Sequence, residues 1–367
     1  MNPLSILHTE ASLGWGGQEI RILTEAAGMM KRGHQVTLLC PPEARIFQEA
    51  GLRGVPVEAL DIGRKNLAGL AAMRRWLKRY RTDVINTHSS TDTWLTALAC
   101  ALLADAPPLV RTRHISAPVP DNLATRWLYQ RATRHIVTTG EKLRQQLIEQ
   151  NRYDPATLTS VPTGIDTTHF APGERAAARR GLGLAEDGMV VGIVATLRSW
   201  KGHTYLLDAF AALPDRAARL LIVGDGPQRE ALQARIAELG LSDRITMPGN
   251  QRDVLPWLQS MDVFALPSYA NEGVPQALLQ AMLCGLPVVS TPVGSITEVV
   301  EDQRTGLIVE PRQAAPLRDA LERLLNDADL RRNLGDSALA QGRARFGLDT
   351  MLDKMEAVFA DAAGHRV

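Results

Sequence analysis

Cysteine is scarce in this 367-residue chain, and the scarcity narrows what the protein can be. Cys40, Cys100 and Cys284 are odd in number and far apart, and each sits in an apolar run. That pattern fits reduced, buried thiols and excludes a disulfide framework or a zinc site built on cysteine pairs. Long hydrophobic runs are also missing. The most apolar segment, Trp94 to Ala104, stops at Asp105 and is too short to span a bilayer. The opening MNPLSILHTEAS has no basic start, and His8 and Glu10 interrupt it, so no secretory signal is expected there. Net charge is only +1, which excludes a polyanion binder by bulk charge, and no nucleic-acid partner is expected. The expected location is the cytoplasm, with attachment to the inner face of the cytoplasmic membrane left open.

What is present is an ordinary globular composition, 45% hydrophobic and 22% charged, in a chain long enough for two cores. Charge is unevenly placed. Residues 1–165 hold 20 Lys and Arg against 14 Asp and Glu, and residues 166–367 hold 21 against 26. The first part is therefore the side expected to meet an anionic partner.

Short apolar runs alternate with helical patterns. The first series is Ser5–His8, Val36–Cys40, Val55–Leu60, Val84–His88, Leu109–Thr112 and Ile136–Thr139. The second is Val190–Leu197, Leu220–Val223, Ile245–Met247, Val263–Leu266, Val288–Thr291 and Leu307–Val309. This β-α-β-α rhythm predicts two parallel sheets covered by helices. The stretch Thr163–Asp187 lacks periodicity and marks the connection between them, and after Pro311 the pattern is purely helical. Ligands of such sheets bind at the carboxyl ends of the strands, so the informative residues should follow strands.

Four motifs do. Gly14-Trp15-Gly16-Gly17-Gln18-Glu19 follows the first run, and its glycines would let backbone approach a phosphate at a helix start, or simply make a tight turn. It lacks the full G-x-G-x-x-G spacing, and Cys40-Pro41-Pro42 stands where a dinucleotide fold keeps an acid, which argues against hydride transfer. Thr196-Leu197-Arg198-Ser199-Trp200-Lys201-Gly202 offers two cations, Arg198 and Lys201, suited to a departing diphosphate or to plain solvation. Gly224-Asp225-Gly226-Pro227 reads mainly as a structural turn. The fourth runs Asn271-Glu272-Gly273-Val274-Pro275-Gln276 and on to Gln280. Pro275 suits a first helical turn, and the amides of Gly273 and Val274 would point toward a ligand beside Glu272. A capped helix would explain the acid but not the whole string.

That string resembles the signature of glycosyltransferase family 4, retaining enzymes of the GT-B fold. Glu272, Gly273, Val274 and Pro275 match, and Gln280 stands where the family carries a second Glu. Gly16-Gly17 resembles the family's phosphate loop, Pro162-Thr163-Gly164-Ile165-Asp166 its domain-junction motif, and Lys201-Gly202 its Lys-Gly pair. The family's Arg, five positions before that Lys, is here Thr196, with Arg198 nearby as a substitute. The resemblance spans essentially the whole chain. It implies an α/β protein with two Rossmann-like domains facing each other across a cleft. Residues 1–165 would bind the acceptor and 166–346 the nucleotide-diphosphate sugar, and a last helix, 348–364, would pack back on the first domain. By the same resemblance His114 lies beside the donor sugar with Glu272, the two catalytic candidates. Gly16, Gly17, Arg198, Lys201, Gly273, Val274 and Gln280 bind donor, and His88, Arg111 and Arg113 lie on the acceptor side. Arg111 and Arg113 would bind an anionic acceptor or brace their loop. No metal or other cofactor is expected. The implied reaction is glycosyl transfer to a glycan or lipid-linked acceptor in polysaccharide or lipopolysaccharide assembly. A nucleotide-sugar epimerase and a non-catalytic nucleotide-sugar binder remain as alternatives. Finally, Arg64–Arg81 reads as a basic amphipathic helix, with Leu67, Leu70, Leu77 and Tyr80 on its apolar face and Trp76 suited to an anionic membrane surface. A packed crossover helix is the other reading.

Overall fold

A computed structural model describes residues 2–115 and 117–364. The chain forms two compact units, one of residues 1–164 and 349–367 and the other of 165–348. The first holds seven parallel strands: β1 Ser5–Thr9, β2 Gln35–Cys40, β3 Val57–Ala59, β4 Val84–Thr87, β5 Leu109–Arg113, β6 His135–Thr138 and β7 Leu158–Ser160. Their order is β3-β2-β1-β4-β5-β6-β7. The second holds β8 Val190–Val194, β9 Arg219–Val223, β10 Ile245–Gly249, β11 Val263–Leu266, β12 Val288–Ser290 and β13 Gly306–Ile308, in the order β10-β9-β8-β11-β12-β13. Both sheets are parallel throughout, as runs apolar on both faces demand. Each reverses direction beside its first strand, between β1 and β4 and between β8 and β11. Loops after those strands therefore open at a topological switch point, where an α/β sheet presents its ligand site.

Ile165 donates its amide to Phe346 and accepts from Leu348, so the outgoing and returning chain run side by side within the second unit. The helix Leu348–Ala362 then packs in the first unit, as the resemblance implied. Leu352 fills the space beside Gly28, where a Cβ would come within 2.5 Å of it, and Arg32 meets Asp353 at 2.7 Å and Glu356 at 2.8 Å.

The basic helix runs Leu67–Arg79, with Asn66 capping the Gly69 amide. Its buried residues are Gly69, Met73 and Leu77, with Leu70 half-buried against the same core, so Leu70 and Leu77 lie on the expected face and Leu67 and Tyr80 do not. Leu67 is 83% exposed in the first turn, and Tyr80 lies beyond the helix end and is exposed. Trp76 is held inward by its indole N–H on Glu58, 2.8 Å away. All three thiols are shielded, and burial pushes Cys40 and Cys284 up to about 12 and Cys100 to about 11. Among the described residues no helix is long and apolar enough to cross a membrane.

Candidate functional site

In the second unit, the loops after β8, β11 and β12 are locked onto one another. Gly202, after β8, has φ +79°, and a Cβ there would stand 2.0 Å from the carbonyl oxygen of Pro267, so only glycine lets this loop reach the end of β11. Gly294, after β12, has φ +57°, and a Cβ would stand 1.9 Å from the Glu272 carbonyl oxygen. Tyr269 donates its amide to Trp200 at 2.8 Å. Asn271 takes the left-handed conformation, φ 58°, which Asn tolerates better than most residues.

These constraints bury Glu272 to 4% exposure and join it to Lys201. The Lys201 ammonium donates to both carboxylate oxygens, at 2.7 and 3.0 Å, and the Ser268 hydroxyl donates to Oε1 at 2.6 Å. The sequence reading gave this acid to the sugar and this cation to the diphosphate; here each is the other's partner. Arg198 takes no part in the pair. It is exposed, with its guanidinium 5.4 Å over the Trp200 ring. Pro275 is the N-cap of the helix Gln276–Leu283 and not its first turn, because its extended ψ of 123° precedes the helix. The buried Gly273 and Val274 lead into that N-terminus, and Gln280 is buried one turn further on. The Gly224 turn is structural, as read: a Cβ there would stand 2.0 Å from the Ala195 carbonyl oxygen.

In the first unit, Gly16 is the N-cap of the helix Gly17–Lys31 and supplies no capping side chain. The first-turn amides therefore keep their pull on an anion. Glu10, directly after β1, accepts the Ser12 amide at 2.7 Å and the Gln18 side-chain amide. Burial first, and then the charges of Asp92 and Glu19, push Glu10 up to about 8, against the pull of its hydrogen bonds from Ser12 and Gln18.

His8 on β1, His88 just past β4 and His114 just past β5 form a chain. His8 Nδ1 lies 2.9 Å from His88 Nε2, and His88 Nδ1 lies 3.0 Å from His114 Nε2. Burial pushes His8 down to about 3, and burial together with neighbouring positive groups holds His88 and His114 well below the usual histidine range. This corrects the assignment of His88 to the acceptor side. Both its ring nitrogens are taken by imidazoles, so its side chain reaches no acceptor directly.

Arg113 braces its loop: its guanidinium donates to the Tyr129 hydroxyl at 2.9 Å and to the carbonyls of Ile115 and Ala117. Arg111 does not. It is 5% exposed and lies 4.7 Å over the Tyr129 ring, and its Nε and Nη1 meet no hydrogen-bond partner among the described residues. Lys65 stands close enough that loss of solvation and the charge of Arg111 both lower its pKa, and its ammonium donates to Ser90 at 3.1 Å.

Family comparison adds the identity of the catalyst. Residues 15–169 match the family described as Glycosyltransferase Family 4, and residues 174–341 match Glycosyl transferases group 1. A D-inositol 3-phosphate glycosyltransferase of Nocardia farcinica is 32% identical, over 89% of this chain and 80% of its own. The chain belongs to the group 1 and family 4 glycosyltransferases. A Mycobacterium tuberculosis protein of the same name is 30% identical over 95% of this chain and 79% of its own. Among solved structures, a glycosyltransferase from Rickettsia africae superposes with a TM-score of 0.87 at 19% identity, covering all of both chains. Anabaena HepE, solved with UDP-glucose, superposes with a TM-score of 0.87 at 22% identity over 98% of this chain and all of its own. These two likenesses establish the GT-B fold of the glycosyltransferase.

Three residues of the glycosyltransferase's first unit escaped the sequence reading. Glu10 was noticed only as a break in an apolar stretch, although an acid directly ending a buried strand was the signal available. Asp92 stands in the first turn of the helix Ser90–Ala101. It receives the Thr9 hydroxyl at 2.7 Å and the His88 amide at 2.9 Å, and with Ser89 it closes a capping box. Glu25 lies in the helix Gly17–Lys31, fully buried 3.7 Å from the guanidinium of Arg21, and nothing local in the sequence sets it apart.

Proposed function

We propose that this glycosyltransferase moves a sugar, with retention at the anomeric carbon, from a nucleotide-diphosphate sugar to a glycan or lipid-linked acceptor bearing a phosphate or carboxylate. Cell-envelope polysaccharide or lipopolysaccharide assembly is the setting we assign it, on the cytoplasmic side. The donor half rests on Lys201 and Glu272. On donor binding the ammonium turns to the diphosphate, freeing the carboxylate for sugar hydroxyls, with Gln280 on the ribose and the amides near Gly16, Gly17 and Gly273 on phosphate oxygens. Lys201 and these amides would supply charge for the leaving group, so the proposed transfer uses no metal.

The observation that carries the acceptor half is Arg111. A guanidinium buried with two unpartnered nitrogens is costly unless an anion completes it, and Lys65 adds a second cation. The D-inositol 3-phosphate glycosyltransferases, whose name specifies a phosphorylated polyol, agree with such an acceptor. The test is a matrix of nucleotide sugars against neutral and phosphorylated acceptors, inositol phosphate included, run in EDTA, with the product anomer read by NMR. Transfer should favour phosphorylated acceptors and persist in EDTA. Arg111→Gln should raise the acceptor KM about 10- to 100-fold, the worth of a charge-assisted hydrogen bond. Equal use of neutral acceptors by both proteins would sink the anionic reading, and donor turnover to an epimer without acceptor would favour an epimerase.

The helix Leu67–Arg79 supports a second proposal, reversible attachment to anionic lipid. Exposed Leu67 and Leu102 flank a groove of about 360 Å³ edged by Arg74, Arg75 and Lys78. Replacing Arg74, Arg75, Lys78 and Arg79 with Gln should reduce co-sedimentation with anionic vesicles, most clearly at low salt. If the unmodified enzyme ignores such vesicles, the helix is only a packed crossover.

A further inference from the structure

The three histidines use one geometry twice, and its polarity can be worked out. His8 pairs in register with Asn86, two residues before His88, and Thr87 pairs with Arg111, three residues before His114. Each imidazole thus stands further toward the carboxyl ends of the strands than the one before. The chain climbs from the buried interior of β1 to the half-buried His114 just past the carboxyl end of β5. Both ring-to-ring centroid distances are 5.2 Å.

A neutral imidazole carries one N–H and one lone pair. Burial keeps all three rings neutral. Each of the two contacts needs a donor facing an acceptor, so the tautomers are not independent. Either every ring donates outward, toward His114, or every ring donates inward, toward His8. What stands beyond His8 selects between these. Its Nε2 has no hydrogen-bond partner among the described residues, and Glu25 Oε1 lies 4.0 Å away. Outward donation would leave a bare lone pair on Nε2 facing that carboxylate. Inward donation places an N–H there, and the dipole is attracted to the ionised carboxylate. Burial pushes Glu25 up to about 7, while the charge of Arg21 and the Asn86 amide pull it back, so the ionised form of Glu25 is what selects the tautomer. Glu25 is itself fixed, receiving the Asn86 side-chain amide at 3.2 Å, while the Thr112 hydroxyl holds the other end of that amide at 2.9 Å. Arg21 lies 3.7 Å from the second carboxylate oxygen and is anchored by the Val161 carbonyl at 2.8 Å and the Thr163 hydroxyl at 3.2 Å.

We propose that Glu25, His8 and His88 are positioning residues that hold His114 in the tautomer protonated on Nε2, leaving its Nδ1 as a bare hydrogen-bond acceptor for a substrate hydroxyl. This rests on the reading that His114 lies beside the donor sugar, and it deepens that reading: His114 accepts from a hydroxyl and does not donate to a ring or anomeric oxygen. Glu25, His8 and His88 touch no substrate. They act only by deciding which nitrogen of His114 carries the proton, the role a buried acid plays toward the histidine of a hydrolase triad.

The experiment uses the full-length enzyme with 15N-labelled histidine. Two-bond proton–nitrogen correlation reports the tautomer of each ring, and a His114→Gln sample identifies the His114 signals. The expected result is an Nε2-protonated pattern for His8, His88 and His114 in the unmodified protein. Glu25→Gln keeps the size of the side chain and removes its charge. It should convert His114 to the other tautomer or to a mixture, and lower kcat at least tenfold with little change in donor affinity. His88→Phe, checked for folding by its melt, should release His114 to a mixture in the same way. An Nδ1-protonated or mixed His114 in the unmodified enzyme overturns the proposal without any variant, and so does an unchanged spectrum in Glu25→Gln. The underlying reading fails separately: normal turnover by His114→Gln would remove His114 from the donor site whatever its tautomer.

Discussion

Glu272→Gln should lower the turnover number about 100-fold, with a smaller change in donor affinity, because the negative charge matters most as positive charge develops on the sugar. The geometry shows what the substitution keeps. Ser268 and Lys201 both donate to Oε1, which the amide oxygen can replace, whereas an amide nitrogen in place of Oε2 would face the Lys201 ammonium as donor against donor. Lys201 retains 18% side-chain exposure and can turn toward water, so the melting temperature should stay near that of the unmodified enzyme. Steady-state kinetics beside a thermal melt decide the matter. Near-normal turnover would take the charge out of the mechanism. Collapse of the melt would make Glu272 chiefly an anchor for its loop.

Lys201→Met should be the most damaging single change, because it strikes twice. It removes the cation proposed for the leaving diphosphate, for an expected loss of about 1,000-fold in kcat/KM. It also strands a carboxylate that is 95% buried, with the Ser268 hydroxyl as its remaining side-chain donor among the described residues, which should cost about 3 kcal/mol of stability. The two effects separate in the double variant Lys201→Met with Glu272→Gln. Neutralising the stranded acid should restore most of the melting temperature and none of the activity. A double variant as unstable as Lys201→Met alone would show that the lysine stem, and not the ion pair, supports the loops. Recovery of activity would show that the cation serves only to neutralise Glu272.

How much of this was legible in the sequence depends on the distance over which each feature acts. The strand runs were readable because parallel strands buried on both faces are continuously apolar. β7 was missed because Leu158–Ser160 is three residues long at a sheet edge, with two polar members. The loop at Glu272 was readable because glycine, proline and an acid after a strand act locally. Its pairing with Lys201 was not, since 71 residues separate the two and only the sheet order brings β8 beside β11. The histidines show the same limit. Taken singly, each is an ordinary buried His. Their chain arises because β1, β4 and β5 are neighbours, over separations of 80 and 26 residues. Arg111 and Arg113 take different roles, and the sequence left both roles open for each. Strand periodicity puts i and i+2 on one face, but Arg113 is the last residue of its strand and turns to the carbonyls of its own loop. The expected apolar face of the basic helix holds for Leu70 and Leu77 and fails at its ends, because the Asn66 cap starts the helix at Leu67 and Tyr80 lies past its last residue.

The shielded thiols have a practical consequence. A thiol reacts as its thiolate, and with values near 11 and 12 almost none is ionised at neutral pH, while Cys40 and Cys284 are also sealed from solvent. A single cysteine introduced at an exposed position would therefore outcompete all three for a maleimide. Fluorophores or spin labels can be placed one per unit on the otherwise unaltered chain, giving a direct distance reading between donor-bound and free enzyme.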